Sequence, residues 1–196
     1  MLDNVNADDP RVQRTRQLLQ EAMTDLMGEK DFQKITVQDI TRRAGVNRAT
    51  FYTHFVDKQA LVNYMVQEFF QAALNEKLPH HPNFTPANLR LLTLAVCDFL
   101  SGFLGHCAPS ERYTSKPLLA AQVQVRLYDI LKQWIAQMHH DDDTTVEITA
   151  MALSWAIYGA AYQWVQDRQK ISAQELADHL LPLLVEGIPI TEETAV

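Results

Sequence analysis

Cysteine is nearly absent from this sequence. Its 196 residues hold two, Cys97 and Cys107. They lie in one apolar stretch, too far apart to pair within a helix, so they read as reduced, buried thiols and exclude a disulfide scaffold. Glycine and proline are scarce too, at six and eight, and β-branched runs are few. That removes most of the turn chemistry and strand propensity of a β-rich fold, and the Leu, Ala, Gln and Met that dominate favour helix. No N-terminal stretch joins a basic end to an apolar run, and the most apolar segment, "LRLLTLAVCDFLSGFLGHC", carries Arg90, Asp98 and His106. Both features argue against a secretion signal or a membrane span. Enzyme signatures are missing as well: no Gly-rich phosphate loop, serine elbow or paired-carboxylate motif is present. The runs "HHP" (80–82) and "HHDDD" (139–143) sit at helix breaks and read as polar turns rather than metal sites. The expectation is a cytoplasmic protein that is not an enzyme and needs no metal or cofactor.

Excess positive charge is also lacking, since the net charge is -7, but the average hides a gradient. Residues 11–58 hold nine basic groups against six acidic ones, while the acidity lies in the first ten residues and in the rest of the chain. A mildly basic head therefore precedes an acidic body, and only the head suits a polyanionic partner.

The head is dense in helix starts and stops. Residues 1–10 have no periodicity and read as a disordered tail. Leu18, Leu19, Ala22, Met23 and Leu26 recur at helical spacing, with Gly28 suited to close that helix in a left-handed conformation. Phe32 and Ile35 are expected to plug the core. Thr36 and Asp39 form a capping box for a short helix that turns Val37 and Ile40 inward, and "AGV" ends it. Asn47 caps a helix from 48 to about 54, and Asp57 caps a long helix reaching Leu78 before Pro79. These spacings define a helix-turn-helix domain over 11–56. A helical domain follows over 57–190, beginning with the connecting helix, and 191–196 form a tail.

Two short helices joined by a tight glycine turn are the layout of a DNA reader whose second helix enters the major groove. Helical geometry places Phe51 and Phe55 against the first helix, while Ala49, Thr50, Tyr52 and Thr53 face outward. Arg48 is unfavourable in a helix first turn, a cost that a guanine edge or a phosphate would offset. Tyr52, His54 and Lys58 can donate to phosphate oxygens. Taken singly, Arg48 and Lys58 also fit solvated charges, and Tyr52 and His54 half-buried packing groups; their joint arrangement after a capped turn favours DNA.

Residues 35–62, "ITVQDITRRAGVNRATFYTHFVDKQALV", closely resemble the DNA-binding signature of the TetR family of bacterial transcription regulators. The matching elements are Ile35-Thr36, the Ala44-Gly45-Val46 turn, Thr50, Phe51-Tyr52, His54-Phe55, Asp57-Lys58 and Ala60-Leu61. The resemblance implies that Thr36 and Gln38 touch the DNA backbone or a base, that Arg48, Ala49, Thr50 and Thr53 read bases, and that Tyr52, His54 and Lys58 bind phosphates. Asn47 stands where Ser is common in the family. Arg11, Arg14 and Arg16 could add phosphate contacts or form a solvated face.

For the body the resemblance implies an all-α domain that dimerises through its last two helices and often holds a small-molecule pocket. Helical periodicity places helices from Thr85-Pro86 to about Cys107, after Pro117, from a Thr144/Glu147 capping box to about Arg168, and from a Ser172/Glu175 box to Gly187, with Pro182 inside the last. The helix over 147–166 is apolar on two sides, one with Ile148, Ala152, Trp155, Gly159 and Tyr162, the other with Ala150, Leu153, Ile157, Ala160 and Trp164. One side can meet its own core and the other a symmetry mate, though burial inside a monomeric bundle would also use both. The candidate dimer residues are Ala152, Trp155, Gly159, Leu176, Leu180 and Leu183. Phe99, Phe103, Trp134, Met138, Trp155, Tyr158 and Tyr162 could line an effector cavity, with Cys97, Asp98 or His106 as polar anchors, or they could simply be core. Asp98 stands out because a carboxylate on a central helix needs a partner, Arg126 or solvent.

The expectation is a homodimeric, ligand-responsive repressor of a palindromic double-stranded DNA operator, with no membrane partner. The other readings are a regulator without a ligand, and a helical enzyme or protein-interaction module whose head is only structural.

Overall fold

The structure, a computed structural model, describes residues 9–105, 116–138, 143–167 and 169–187. Among them are eight α-helices, one short 3-10 turn and no strand. The helices are α1 (Pro10–Glu29), α2 (Val37–Ala44), α3 (Arg48–His54), α4 (Lys58–Lys77), α5 (Pro86–Gly105), α6 (Lys116–Ala136), α7 (Asp143–Gln166) and α8 (Ala173–Val185), with the 3-10 turn at Phe32–Lys34. The fold is an N-terminal helix-turn-helix domain followed by a helical C-terminal domain, as the sequence implies. The chain divides into two compact units, Met1–Phe69 with Gly102–Gln122, and Phe70–Ser101 with Val123–Val196.

In the first unit, α1 packs on α2 and α2 on α3. Leu19, Met23, Ile35, Ile40, Phe51, Leu61 and Met65 are completely buried there, each contributing about 1.5–3 kcal/mol of hydrophobic stabilisation. Pro10 sits in the first turn of α1, where its missing N–H costs nothing, and the Asp9 carboxylate accepts from the Arg11 amide at 2.8 Å. The expected left-handed closure at Gly28 does not occur. The helix continues through Gly28 to Glu29, and the chain leaves through an extended Lys30 (φ -153°, ψ 160°) whose amide donates to the Leu26 carbonyl at 3.0 Å. That exit carries the Lys30 ammonium to the Asp39 carboxylate, 2.9 Å away, so no positive-φ residue is needed.

In the second unit α5 is buried on nearly every side; Leu89, Leu92, Ala95, Val96, Cys97 and Leu100 are all inaccessible. By length and composition α5 could cross a membrane, but most of its apolar window is covered by protein. Its start is built as Thr85-Pro86 implies, with the Asn88 amide donating to Thr85 Oγ1 at 3.2 Å. Helix α7 begins at Asp143, so Thr144 lies in its first turn, where the Thr144/Glu147 box would have started the helix two residues later. Helix α8 is capped by reciprocal bonds between Ser172 and Glu175 (3.1 and 2.7 Å), contains Pro182, and is followed by Gly187 at φ 83°. Helices α7 and α8 pack against each other. Asp9 and Pro10, expected in the 1–10 tail, instead cap and open α1; His106, Cys107, residues 1–8 and 191–196 and most of "HHDDD" lie outside the described residues.

Candidate nucleic-acid interface

The interface is organised by three caps. At the start of α2, Thr36 Oγ1 accepts from the Asp39 amide (3.1 Å), while Asp39 Oδ2 accepts from the Thr36 amide (2.9 Å) and hydroxyl (2.8 Å). The Lys30 ammonium, then these Thr36 bonds, hold the Asp39 carboxyl well below the usual carboxylate range. At the end of α2, Gly45 adopts φ 67°, ψ 27°, and the Val46 amide returns to the Thr41 carbonyl at 3.0 Å. A Cβ at Gly45 would meet nothing within 4 Å, so backbone conformation rather than space selects glycine, at a cost of roughly 1–2 kcal/mol for another residue. Asn47 Oδ1 then accepts from the Ala49 amide at 2.9 Å and starts α3. The Arg43 guanidinium holds α2 to α1 through two bonds to Glu29, 2.9 and 2.8 Å.

These caps set the roll of α3. Phe51 and the following Phe55 are buried, Thr50 and His54 half-buried, and Arg48, Ala49, Tyr52 and Thr53 exposed. At about 100° per residue the four exposed positions occupy one arc of about 140°. The Arg48 guanidinium lies 5.6 Å from the centre of the Tyr52 ring and donates to Tyr52 Oη at 3.2 Å. Both side chains are thereby partly ordered and still exposed. Thr53 Oγ1 donates to the Thr50 carbonyl at 2.7 Å. Thr36 and Gln38 are exposed at the start of α2, with the Thr36 hydroxyl committed to its cap.

His54 and Lys58 are less free. Burial, then the charge of Arg16, push the His54 imidazole below its ordinary value, so it is mainly neutral near pH 7; its buried Nδ1 has no partner. The Arg16 guanidinium lies over the Tyr64 ring at 5.2 Å, which sets it apart from the solvated Arg11 and Arg14. Lys58 Nζ donates to the carbonyls of Phe32 (2.8 Å), Ile35 (2.8 Å) and Gln33 (3.2 Å). Here Lys58 braces the 3-10 turn, and a phosphate would have to displace those bonds. A Lys58→Met variant is therefore expected to lose about 1–3 kcal/mol of stability through orphaned carbonyls, read as a lower urea midpoint at unchanged slope. A phosphate ligand alone would leave the midpoint in place and reduce the salt slope of DNA binding by about one.

The candidates in the body fall into separate environments. Cys97, Phe99, Trp134, Tyr158 and Tyr162 are buried in the second unit, and Phe103, in the 102–122 stretch of the first, is buried too. Burial pushes the Cys97 thiol up to about 12, which keeps it protonated and inert. The Tyr158 hydroxyl is buried without a partner. Asp98 is half exposed and pairs with Lys77 at 2.9 Å, not with Arg126. Met138 and Trp155 are exposed. Only Trp134 of this set lines the cleft of about 430 Å³ that runs along α4, the segment after it and α6.

The two sides of α7 separate clearly. Ala150, Leu153 and Ile157 face the core, whereas Ile148, Ala152, Trp155 and Gly159 are exposed; Trp155 keeps 53% of its surface. Tyr162, grouped with the outer side by spacing, is buried and stacks on Tyr158 with ring centres 5.9 Å apart. On α8, Leu183 is exposed and Leu176 and Leu180 are half-buried.

Residues 19–65 match the family described as "Bacterial regulatory proteins, tetR family". The chain is 48% identical over 60 residues to the uncharacterized HTH-type transcriptional regulator YxbF of Bacillus subtilis (strain 168), a match over 30% of this chain and 16% of that protein. It is 29% identical over 123 residues to the HTH-type transcriptional repressor DhaR of Mycobacterium sp. (strain GP1), covering 61% of each. The chain thus spans less than two thirds of the length of these relatives. A crystal structure from Syntrophomonas wolfei, assigned to the TetR-family transcriptional regulators, superposes with a TM-score of 0.65 at 20% identity, over 91% of this chain and 99% of that one.

Proposed function

We propose that this chain, a member of the tetR family of bacterial regulatory proteins, is a cytoplasmic, homodimeric repressor that binds a palindromic operator and is released by a small-molecule effector. The observation that carries the reading is the exposed arc of Arg48, Ala49, Tyr52 and Thr53 on a capped two-turn helix after a left-handed glycine. Arg48 supplies a bidentate donor for a guanine edge, Ala49 lets the backbone approach, and Thr50 and Thr53 offer hydroxyls and methyls to neighbouring bases. Tyr52 and a neutral His54 donate to phosphates, with Thr36 and Gln38 adding contacts from α2. The domains are 11–56 for DNA and 57–190 for dimerisation and effector binding.

The exposed apolar stripe on α7, with Leu176, Leu180 and Leu183 on α8, supports pairing with a second copy, because a monomer would leave that surface in water. Two copies related by a two-fold axis would place two α3 helices on successive major-groove faces. The effector would act by favouring a dimer whose spacing no longer fits. Sites bound by this chain are selected from random duplexes and the titration repeated with Arg48→Ala. Affinity is expected to fall by about 1–3 kcal/mol, with relaxed preference at one base pair in each half-site. An unchanged affinity and preference would remove Arg48 from the reading surface.

A further inference from the structure

The cleft along the end of α4 has a chemistry that sets it apart from the surface around it. The second unit is rich in acidic residues, and three of its cations, Lys77, Arg90 and Lys132, each reach a carboxylate, on Asp98, Asp178 and Glu147. Arg126, on α6, is the one arginine or lysine among the residues lining the cleft, and no aspartate or glutamate lines it. Its partner is a neutral one, with Nη2 donating to Gln71 Oε1 at 3.0 Å. One amide oxygen engages one of the five guanidinium N–H groups and neutralises none of the charge. Asn75 and Gln133, on the same walls, carry amides that can also donate. Leu74, Ile130 and Trp134, nearly inaccessible to solvent, contribute the apolar surface beside them.

We propose that this cleft binds a small organic monoanion, a carboxylate with an apolar body. The carboxylate takes the Arg126 fork in two parallel hydrogen bonds, and its remaining lone pairs accept from the neighbouring amides. The body lies on Leu74, Ile130 and Trp134. One permanent cation matches one negative charge, and a cleft of about 430 Å³ falls within the usual range for small-ligand sites. Only the effect of this ligand on DNA rests on the effector-controlled reading above; its binding does not.

The test is calorimetry on the full chain with phenylbutyrate and phenylbutanamide, which share a body and differ in charge. The acid is expected to bind about tenfold or more tightly than the amide. Arg126→Gln should erase that preference, and Gln71→Glu should erase it as well by putting a carboxylate where an amide oxygen now accepts from Arg126 Nη2. The exposed position of Arg126 makes a folding failure avoidable, and Gln71→Glu leaves the arginine in place as a second check. Equal binding of acid and amide, no binding of either, or a preference that survives both variants overturns the proposal. Acid binding that needs Arg126 yet leaves affinity for duplex DNA unchanged overturns the effector-controlled reading instead and leaves the site standing.

Discussion

A Trp155→Asp variant is expected to sediment as a monomer and to bind a palindromic duplex about 100-fold or more weakly, while keeping its affinity for an isolated half-site. The indole is exposed on α7, flanked by Met151 and Gly159, with Ile148 two turns before it. A carboxylate there would be buried without a partner on pairing, which costs several kcal/mol on top of the lost apolar contact. Linking two half-site contacts through a dimer multiplies affinity by about 10²–10⁴ with no new contact to DNA, and the monomer forfeits that factor. The fold of the second unit should survive, because Leu153 and Ile157 point the other way into the core. Sedimentation equilibrium and titrations with full and half operators measure the two quantities. A variant that remains dimeric with unaltered operator affinity would place the interface elsewhere.

The elements that were legible in the sequence are those whose physics is local. The Thr36/Asp39 and Ser172/Glu175 capping boxes, the Asn47 cap and the Gly45 turn involve partners two to five residues apart, so spacing alone identifies them. The outward arc of α3 follows from helical period applied to a segment with two phenylalanines, and the two-sided character of α7 from the same rule. What escaped depends on residues far apart in the chain. Lys58 fits a phosphate donor until the carbonyls of Phe32, Gln33 and Ile35 are seen around its ammonium. Asp98 finds Lys77, 21 residues earlier on another helix. Gly28 stays helical because the exit from α1 is set by the Lys30 to Asp39 pair, which no local pattern announces. Periodicity could not divide the aromatics into core and lining either, since Trp134 and Tyr158 are buried and Trp155 and Met138 are not; a stripe position reports a face and not what covers it.

The recognition helix is the element most dependent on such packing, which makes Phe51→Ala the substitution with the largest expected effect on the head. Seven residues are too few for an isolated helix to persist in water. Helix α3 keeps its shape and roll through the Asn47 cap and the burial of Phe51, whose ring is fully inaccessible and lies 6.0 Å from that of Phe55. Truncation to alanine removes that anchor and leaves a cavity in the core of the first unit, at a cost of about 3–5 kcal/mol. The three tryptophans, Trp134, Trp155 and Trp164, all lie in the second unit, so the two halves can be followed separately. In a urea titration the amide protons of α2 and α3 should exchange freely at concentrations where tryptophan fluorescence is still native. DNA binding should fall further than in Arg48→Ala, and without selectivity for any one base pair, because every side chain on the arc is misplaced at once. Native-like protection of α3 together with sequence-selective binding would mean that the helix is held by something other than this ring, and the assignment of the reading arc would lose its physical basis.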